Sequence, residues 1–249
     1  MFESMGYTSG ICASPVVSAR TRNPFSITIY RPPVRLLCVL LLLAPLSATA
    51  ATLQVGPDKP LKSPSAAARL ASNGDVIEID AGVYRNDYAT WDQDNLTIRG
   101  VGGMAHIQSE GLIPNRKAIW VVNGNNTVIE QIEFSGAEVA DGNGAGLRLQ
   151  GTNQFLRNLF FHNNEFSILT GAQADSTLEI DSSRFWFQKR KNRFSHGIYI
   201  GAIKHFTLTG SHVMGTDRGH QVKTRALENH ILYNRIEDAP GGNSSRLID

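Results

Sequence analysis

A short apolar pattern recurs along the second half of the chain. Each copy begins with an apolar residue and ends with another one five positions later. Its fourth position holds Ile, Leu, Ser or Asn, and the remaining three positions vary. The copies are Ile129-x-x-Ile132-x-Phe134, Leu156-x-x-Leu159-x-Phe161, Ile180-x-x-Ser183-x-Phe185, Leu208-x-x-Ser211-x-Val213 and Ile231-x-x-Asn234-x-Ile236. Successive copies begin 23 to 28 residues apart. A fixed strand pattern with loops of variable length is typical of a solenoid, in which every coil adds to one common core.

A second strand-like segment follows each of the first four copies, after a turn that contains Gly or Asn. Several of these segments alternate apolar and polar residues with period two, which directs one face of a strand inward. They lie at 146–149, 167–170, 197–200 and 220–224. Earlier segments at 76–79, 96–98 and 119–122 extend the series toward the N-terminus. The strand pattern therefore covers most of the chain after residue 75.

The length and composition of these segments select one kind of solenoid. They are short, rich in Val, Ile, Thr and Phe, and bounded by Gly, Asn and Asp, which excludes helical repeats. The dense leucine consensus of leucine-rich repeats is absent, and the spacing is too short for a four-stranded propeller blade. A parallel β-helix is therefore predicted. Because equivalent residues of adjacent coils lie about 4.8 Å apart, we expect Phe134, Phe161 and Phe185 to stack in an internal column.

The two ends of the predicted β-helix differ. Residues 63–74 are predicted to form a short N-terminal cap helix, with Ser63 as N-cap, Pro64 in the first turn and Gly74 as the C-terminal stop. This helix is expected to cover the open edge of the first coil. Residues 245–249 read as a strand in mid-coil, so we expect that the sequence is truncated or that another element covers this end. An uncapped last coil would favour association with another chain.

The first fifty residues differ from the rest. Residues 31–50 contain two arginines, Arg31 and Arg35, then an apolar run over 36–46 and the sequence Ala-Thr-Ala at 48–50, an order typical of a signal peptide cleaved before Ala51. The run is too short to span a membrane, which takes about 20 residues. A secreted or periplasmic protein without a membrane anchor after cleavage is therefore predicted. Its parts are residues 1–30, an extension of unassigned role, 31–50, the signal peptide, and 51–249, the β-helix domain.

The charge balance argues against one class of partner, and the cysteine content argues against disulfide bonds. Residues 1–50 hold four of the 24 basic residues and one of the 22 acidic residues, which leaves 20 basic and 21 acidic residues in the mature chain. This balance argues against a nucleic-acid partner, which usually needs a basic surface. Both cysteines, Cys12 and Cys38, are also removed, so no disulfide is expected.

Three segments resemble a known superfamily. They are 74–84, GDVIEIDAGVY, 95–100, NLTIRG, and 133–136, EFSG. They are similar to the right-handed β-helix, pectate-lyase-like superfamily, and the likeness extends over nearly all of 51–249. The resemblance implies an all-β, right-handed, single-stranded parallel β-helix that acts on a polysaccharide, often an acidic one. Lyases, glycosidases, esterases, epimerases and non-catalytic binding proteins share this fold, so the fold alone does not select the reaction.

Two strands resemble those of polygalacturonases within this superfamily. Residues 195–202, SHGIYIGA, are similar to the GHGxxIGS strand, and 222–224, VKT, are similar to the RIK segment one coil later. In that family the His and the basic residues contact the substrate. The catalytic Asp pair of the family should lie at 163–170, where only Glu165 is present. Because inverting hydrolysis needs two carboxyl groups, the sequence argues against hydrolysis.

A row of basic and aromatic residues favours a different reaction. Period two places Gln221, Lys223 and Arg225 on one face of a strand. Together with Arg148 and Tyr199 on earlier coils, they predict a groove that binds uronic-acid carboxylates. Arg148, Tyr199 and Gln221 are the predicted substrate-binding residues.

Elimination or epimerisation at a uronic acid needs a cation on the carboxylate, a base and a proton donor. The resemblance to β-helix lyases and epimerases implies that Lys223 is the base or the carboxylate clamp. Arg225 would neutralise the carboxylate, and His196 or His220 would donate the proton.

No cofactor is evident, and no metal-ligand spacing is present in the linear sequence. A calcium site assembled from different coils stays open. We therefore predict a secreted β-helix protein that processes an acidic polysaccharide by lyase or epimerase chemistry. Two alternatives stay open: a non-catalytic glycan-binding β-helix, and a truncated, inactive remnant of such an enzyme.

Overall fold

The computed structural model describes residues 50–188 and 195–249 as a parallel β-helix. In these residues every strand pairing is parallel, and one short helix accompanies the strands. The predicted signal peptide lies outside the described residues, apart from Ala50. The parallel β-helix predicted from the sequence is therefore confirmed, while its right-handed sense stays a prediction.

The strands form three stacks that run along the solenoid. The first stack contains β1 (Thr52–Val55), β6 (Val128–Glu130), β9 (Gln154–Arg157), β12 (Thr177–Asp181), β15 (His205–Thr209) and β18 (Glu228–Leu232). The second stack contains β7 (Ile132–Ser135), β10 (Phe160–His162), β13 (Arg184–Trp186), β16 (His212–Met214) and β19 (Arg235–Glu237). The third stack contains β3 (Ala89–Trp91), β5 (Ala118–Val122), β8 (Ala145–Leu149), β11 (Phe166–Thr170), β14 (His196–Ile200), β17 (His220–Thr224) and β20 (Arg246–Ile248).

Two long strands join the first and second stacks. β2 (Val76–Arg85) and β4 (Thr97–Gln108) pair along almost their whole length, with a register shift between Asp80 and Gly82. β4 then pairs with β6 through its first half and with β7 through its second half. A single continuous strand in these early coils is therefore replaced by two strands separated by a bend in the later coils.

The interior is filled by columns of apolar side chains from successive coils. Phe134 and Phe161 stack with ring centroids 5.2 Å apart, and Phe161 and Phe185 with centroids 5.1 Å apart. All three rings are fully buried, so the predicted column is confirmed. Trp120 meets Phe134 edge-on at 5.1 Å and extends the aromatic contacts. Such ring pairs add about 0.5–1.5 kcal/mol each beyond the burial of their area.

A row of asparagines supports one set of turns. Asn95, Asn126 and Asn153 adopt positive φ angles of 60°, 54° and 55°, a conformation that Asn tolerates better than most residues. The Nδ2 group of Asn126 donates to Asn95 Oδ1 at 2.9 Å, and that of Asn153 donates to Asn126 Oδ1 at 3.0 Å. The turn residues therefore form their own hydrogen-bonded ladder along the solenoid.

The helix α1 spans Pro64–Leu70 and is shorter than the predicted 63–74. Ser63 is the N-cap, as predicted, and its Oγ accepts from the Ala66 N–H. The helix ends early because Asp75 accepts from the Ser72 N–H at 2.8 Å and holds the following residues in a turn. Gly74, with a φ of 88°, lies in that turn and not at the helix end. No helix of the described residues is long and apolar enough to cross a membrane.

Candidate functional site

The outer face of the third stack carries two rows of side chains that cross the strands. In the first row, Arg148, Leu169, Tyr199 and Lys223 occupy matching positions of β8, β11, β14 and β17. Neighbouring strands lie about 4.8 Å apart. Three predicted site residues, Arg148, Tyr199 and Lys223, therefore share one row. We call this row and the adjacent row of Phe166, His196 and His220 the third-stack face.

The adjacent row brings the two predicted catalytic histidines together. The imidazole rings of His196 and His220 stack with centroids 4.9 Å apart and an interplanar angle of 9°. The Phe166 and Tyr199 rings each lie with their centroids 5.6 Å from that of His196. His196 is therefore packed among three rings, in contact with the first row through Tyr199.

A hydrogen bond determines the tautomer of His196. The backbone N–H of His220 donates to His196 Nδ1 at 3.0 Å. A ring nitrogen that accepts a hydrogen bond carries no proton, so the proton of the neutral imidazole is on Nε2. Nε2 is thus the protonated nitrogen, the atom that the predicted proton-donor role would use.

His220 lies in a different electrostatic environment. Its Nδ1 atom is buried without a hydrogen-bond partner in the described part of the chain, and its Nε2 lies 3.7 Å from Asp249 Oδ2. Burial lowers the pKa of His220, Asp249 opposes that shift, and the cations Lys223 and Arg246 add to it. The imidazole is therefore held neutral near pH 7. This suits a proton acceptor better than a proton donor.

Two cations flank the phenol of Tyr199. Lys223 Nζ lies 5.7 Å from the centroid of the Tyr199 ring, within the range of a cation–π contact, and 3.6 Å from Asp249 Oδ2. Arg225 follows the end of β17, and its Nε donates to Tyr199 Oη at 3.4 Å. This hydrogen bond raises the pKa of Arg225, so its guanidinium stays charged. The arrangement places one cation against the ring of Tyr199 and another at its hydroxyl group, and both are of the type that binds carboxylates.

An open cleft of about 350 Å³ lies at the centre of the third-stack face. This volume falls within the range of small-ligand pockets. The side chains that line it include those of Asn143, Arg148, Phe166, Leu169, His196 and Tyr199. The cleft therefore combines apolar rings, one guanidinium and one imidazole.

Gln221, a predicted substrate-binding residue, does not lie on the third-stack face. Its side chain is fully buried, with Oε1 accepting from Thr216 Oγ1 at 2.7 Å and Nε2 donating to Asp238 Oδ1 at 3.0 Å. The expected alternation fails because both Gln221 and Val222 are buried where the chain bends into the strand. In the interior, the hydrogen bonds of Gln221 therefore link β17 to the segments that contain Thr216 and Asp238.

A comparison of equivalent positions in successive coils shows which feature of the sequence indicates that Gln221 points inward. The position of Gln221 is occupied in the earlier coils by Ile119, Gly146, Ser167 and Gly197. Ile119 and Ser167 are fully buried. Apolar or small residues at the same place in every coil indicate an inward position, even beside a second inward position.

Glu165, the one carboxyl group at the place of the family's Asp pair, is tied to the backbone. It is buried, and its Oε2 accepts from the Gly144 N–H at 2.7 Å and from the Val139 N–H at 3.1 Å. It therefore holds the loop that precedes β8. A carboxylate engaged in this way is poorly suited to act as a general acid or base, which agrees with the argument against hydrolysis.

The outer face of the second stack brings together three residues that the sequence analysis did not select. His106 Nε2, Glu133 Oε1 and His162 Nε2 all lie within 4.8 Å of one another. Burial lowers the pKa of His106, and Glu133 opposes that shift. The linear sequence shows no metal-ligand spacing, whereas the described residues form this candidate ligand set. The three side chains come from three consecutive coils, so their separation in the sequence is one coil length each time.

No protein-family model matches this chain, and no curated protein matches it either. Among solved structures, the chain is similar to the pectate lyase Pel9A, with a TM-score of 0.55 and 13% identity over 81% of this chain. It is also similar to the GH136 lacto-N-biosidase from Eubacterium ramulus, with a TM-score of 0.51 and 13% identity over 70% of this chain. The chain spans 62% of the first protein and 43% of the second. These similarities confirm the parallel β-helix, pectate-lyase-like fold.

Proposed function

We propose that this chain binds an acidic polysaccharide along the third-stack face and processes it by β-elimination or epimerisation of a uronic acid. The observation that carries the proposal is that Tyr199 contacts Lys223, Arg225 and the imidazole ring of His196. A cation clamp, a phenol and an imidazole donor are thus within one small region. Uronate chemistry needs this combination.

The direction of the rows suits a bound sugar chain. Arg148 and Lys223 occupy the same row three strands apart, which corresponds to about 14 Å at the usual strand spacing. A short run of sugars lying across the strands can therefore place one carboxylate on Arg148 and another on Lys223 and Arg225. The apolar rings of Phe166 and Tyr199 supply stacking surface between these cations.

The proposed reaction begins with loss of the C5 proton beside the substrate carboxylate. Lys223 and Arg225 neutralise that carboxylate, and Tyr199 Oη, after releasing its own proton to solvent, takes the proton from C5. Lys223 is assigned the role of carboxylate clamp because its Nζ already lies at ion-pair distance from a carboxylate, that of Asp249. In β-elimination, His196 Nε2–H then protonates the leaving O4 as the C4–O4 bond breaks. In epimerisation, a proton returns to the opposite side of C5 and no bond to oxygen breaks.

The proposed setting is the periplasm or the extracellular space, where such polysaccharides occur. The signal-peptide pattern of residues 31–50 supports it, and polysaccharide is the proposed partner. The names of the two structural neighbours, a pectate lyase and a lacto-N-biosidase, agree with a carbohydrate substrate.

The test is incubation of the purified protein with a panel of uronic-acid polysaccharides, with and without calcium. We expect a rise in ultraviolet absorbance from an unsaturated uronate on one substrate, or deuterium at C5 when the reaction is run in D₂O. Lys223→Ala should reduce either signal about a hundredfold, the usual effect of removing one charge-stabilising group. Lys204→Ala, which removes an exposed lysine elsewhere, is the matched control. Neither signal on any substrate would contradict the catalytic proposal.

Binding without catalysis is the second candidate function. It is favoured by Glu165, whose carboxylate is engaged by two backbone N–H groups. Calorimetric titration of the same polysaccharides distinguishes the two candidates. Affinity without any product, lost in Arg148→Ala and Lys223→Ala, would establish a binding protein.

A further inference from the structure

We propose that His106, Glu133 and His162 bind a divalent transition-metal ion, for which Zn²⁺ is the reference. The three residues project from the outer face of the second stack, on β4, β7 and β10. Their ligand atoms all lie within 4.8 Å of one another, and each side chain is only 19–23% exposed. The site does not involve the third-stack face, so it is independent of the proposed polysaccharide chemistry.

The distances between the ligand atoms are close to those of a metal site. Glu133 Oε1 lies 3.5 Å from His106 Nε2 and 2.9 Å from His162 Nε2. In a tetrahedral site with metal–ligand distances of about 2.0–2.2 Å, ligand atoms lie about 3.3–3.6 Å apart. The first distance already fits, and the second needs an opening of about half an ångström, which is within the reach of side-chain rotation.

Neighbouring polar groups can support the ligands. Asn163 Nδ2 donates to His162 Nδ1 at 3.0 Å, and His106 Nε2 lies 2.7 Å from Ser135 Oγ. With an ion on Nε2, the proton of His162 moves to Nδ1. Rotation of the Asn163 amide then presents Oδ1 as the acceptor, which is the usual way in which a second group orients a metal-binding imidazole. A rotation of the Ser135 hydroxyl away from His106 Nε2 leaves that nitrogen to the ion.

The ligand set selects the class of ion. Calcium and magnesium prefer sites made almost entirely of oxygen atoms, whereas two imidazoles and one carboxylate suit zinc and its first-row neighbours. Three protein ligands also leave one position open, as in zinc sites that bind water or substrate. The inferred site therefore holds a transition-metal ion with one exchangeable position and links three consecutive coils.

The experiment uses untagged protein that has been treated with a chelator and then dialysed against Zn²⁺. We expect one zinc per chain, and we expect Co²⁺ to give the intense visible absorption of a four-coordinate site. At a hundredfold excess over Kd, binding should raise the melting temperature by about 5–10 °C. Absence of saturable zinc binding by the folded protein would overturn the proposal.

Variants locate the site. Glu133→Gln keeps the size and hydrogen bonding of the side chain and should weaken zinc at least tenfold, and His162→Ala should do the same. The matched control is His212→Ala, because His212 Nε2 lies 2.9 Å from Glu237 Oε1 in the same stack. That pair has the same chemistry but no second histidine ligand, so His212→Ala should bind zinc as the wild type does. Unchanged zinc affinity in Glu133→Gln, or displacement of zinc by equimolar calcium, would contradict the proposal.

Discussion

The outer faces of the second and third stacks carry different chemistry on the same backbone scaffold. The third-stack face spreads its cations along one row, since Arg148 lies three strands away from Lys223. The outer face of the second stack, which we call the second-stack face, brings the side chains of His106 and His162 close to the carboxylate of Glu133. Widely placed cations suit a long polyanion, whereas converging ligand atoms suit a single small ion. One coil geometry thus supports two kinds of recognition, set only by which side chains fill matching positions.

The two faces also differ in how visible they are in the sequence. Tyr199 belongs to a strand with a family resemblance, and Lys223 and Arg225 are two residues apart on the next coil, so the predicted site rested on local patterns. The three ligands of the second-stack face contribute one residue per coil, across loops of unequal length. Their convergence depends on strand register, which the linear sequence does not show.

The largest expected effect concerns the core that both faces share. Phe161→Ala removes the middle ring of the stacked column and should lower the free energy of unfolding by about 3–5 kcal/mol. Zinc and polysaccharide binding should weaken together, because the Phe161 ring stacks between Phe134 and Phe185 of the second stack and also lies against Gly146 in β8 of the third stack. Urea titration measures the change. The adjacent Phe160 faces outward, and Phe160→Ala, the matched control, should cost much less.

The next prediction separates the faces. Tyr199→Phe keeps the ring that Lys223 and His196 contact and removes the oxygen that accepts from Arg225. We expect kcat/KM for the uronate substrate to fall about a hundredfold, since a proton-transfer group is lost. Zinc affinity should not change. Equal activity of this variant and the wild type would remove the phenol from the mechanism.

A smaller change is expected in the pH dependence of folding stability, through His220. Because the folded state lowers the pKa of His220, the unfolded chain binds a proton more readily. The stability contributed by neutral His220 is therefore complete above the ordinary histidine pKa of about 6.5, and it is lost as pH falls through the lower, folded-state pKa. Asp249, Lys223 and Arg246 are the charged groups that act on this ring.

Urea midpoints at pH 7.5 and pH 5.5 test this dependence. His220→Asn should reduce the loss of stability between the two values, whereas His230→Asn, at an exposed position, should not. An identical pH dependence in His220→Asn and the wild type would contradict the account.

The smallest expected change in stability comes from the removal of Arg184, on the second-stack face. Arg184 Cζ lies 4.4 Å from the ring centroid of Phe160 and 5.4 Å from that of Trp186. Arg184→Ala should cost about 0.5–1 kcal/mol, the usual range for an exposed cation–π contact. Zinc stoichiometry should stay at one, because this guanidinium is not a ligand. A complete loss of zinc in this variant would show that the ion binds elsewhere on the face.

The sequence predicted the fold in detail where the signal was local. Stacking of Phe134, Phe161 and Phe185 followed from one repeated pattern, and the N-cap role of Ser63 followed from its residue type. The early end of α1 did not, because it depends on a hydrogen bond from Ser72 to Asp75.

The candidate site could be predicted only in part. Arg148, Tyr199 and Lys223 fall in one row because each follows a buried aliphatic residue at the same place in its strand, as period-two alternation predicts. Gln221 breaks that alternation, since a bend places two successive residues inside. The sign of the His220 pKa shift depends on burial within the fold, which a single sequence does not reveal.

One nuclear magnetic resonance measurement tests the division between the two faces directly. The ring signals of all seven histidines are followed while uronic-acid oligosaccharides, and separately Zn²⁺, are added. We expect an oligosaccharide to shift His196 and His220, and zinc to shift His106 and His162. A uronate response confined to His106 and His162, or no response to any uronate, would contradict the assignment of polysaccharide binding to the third-stack face.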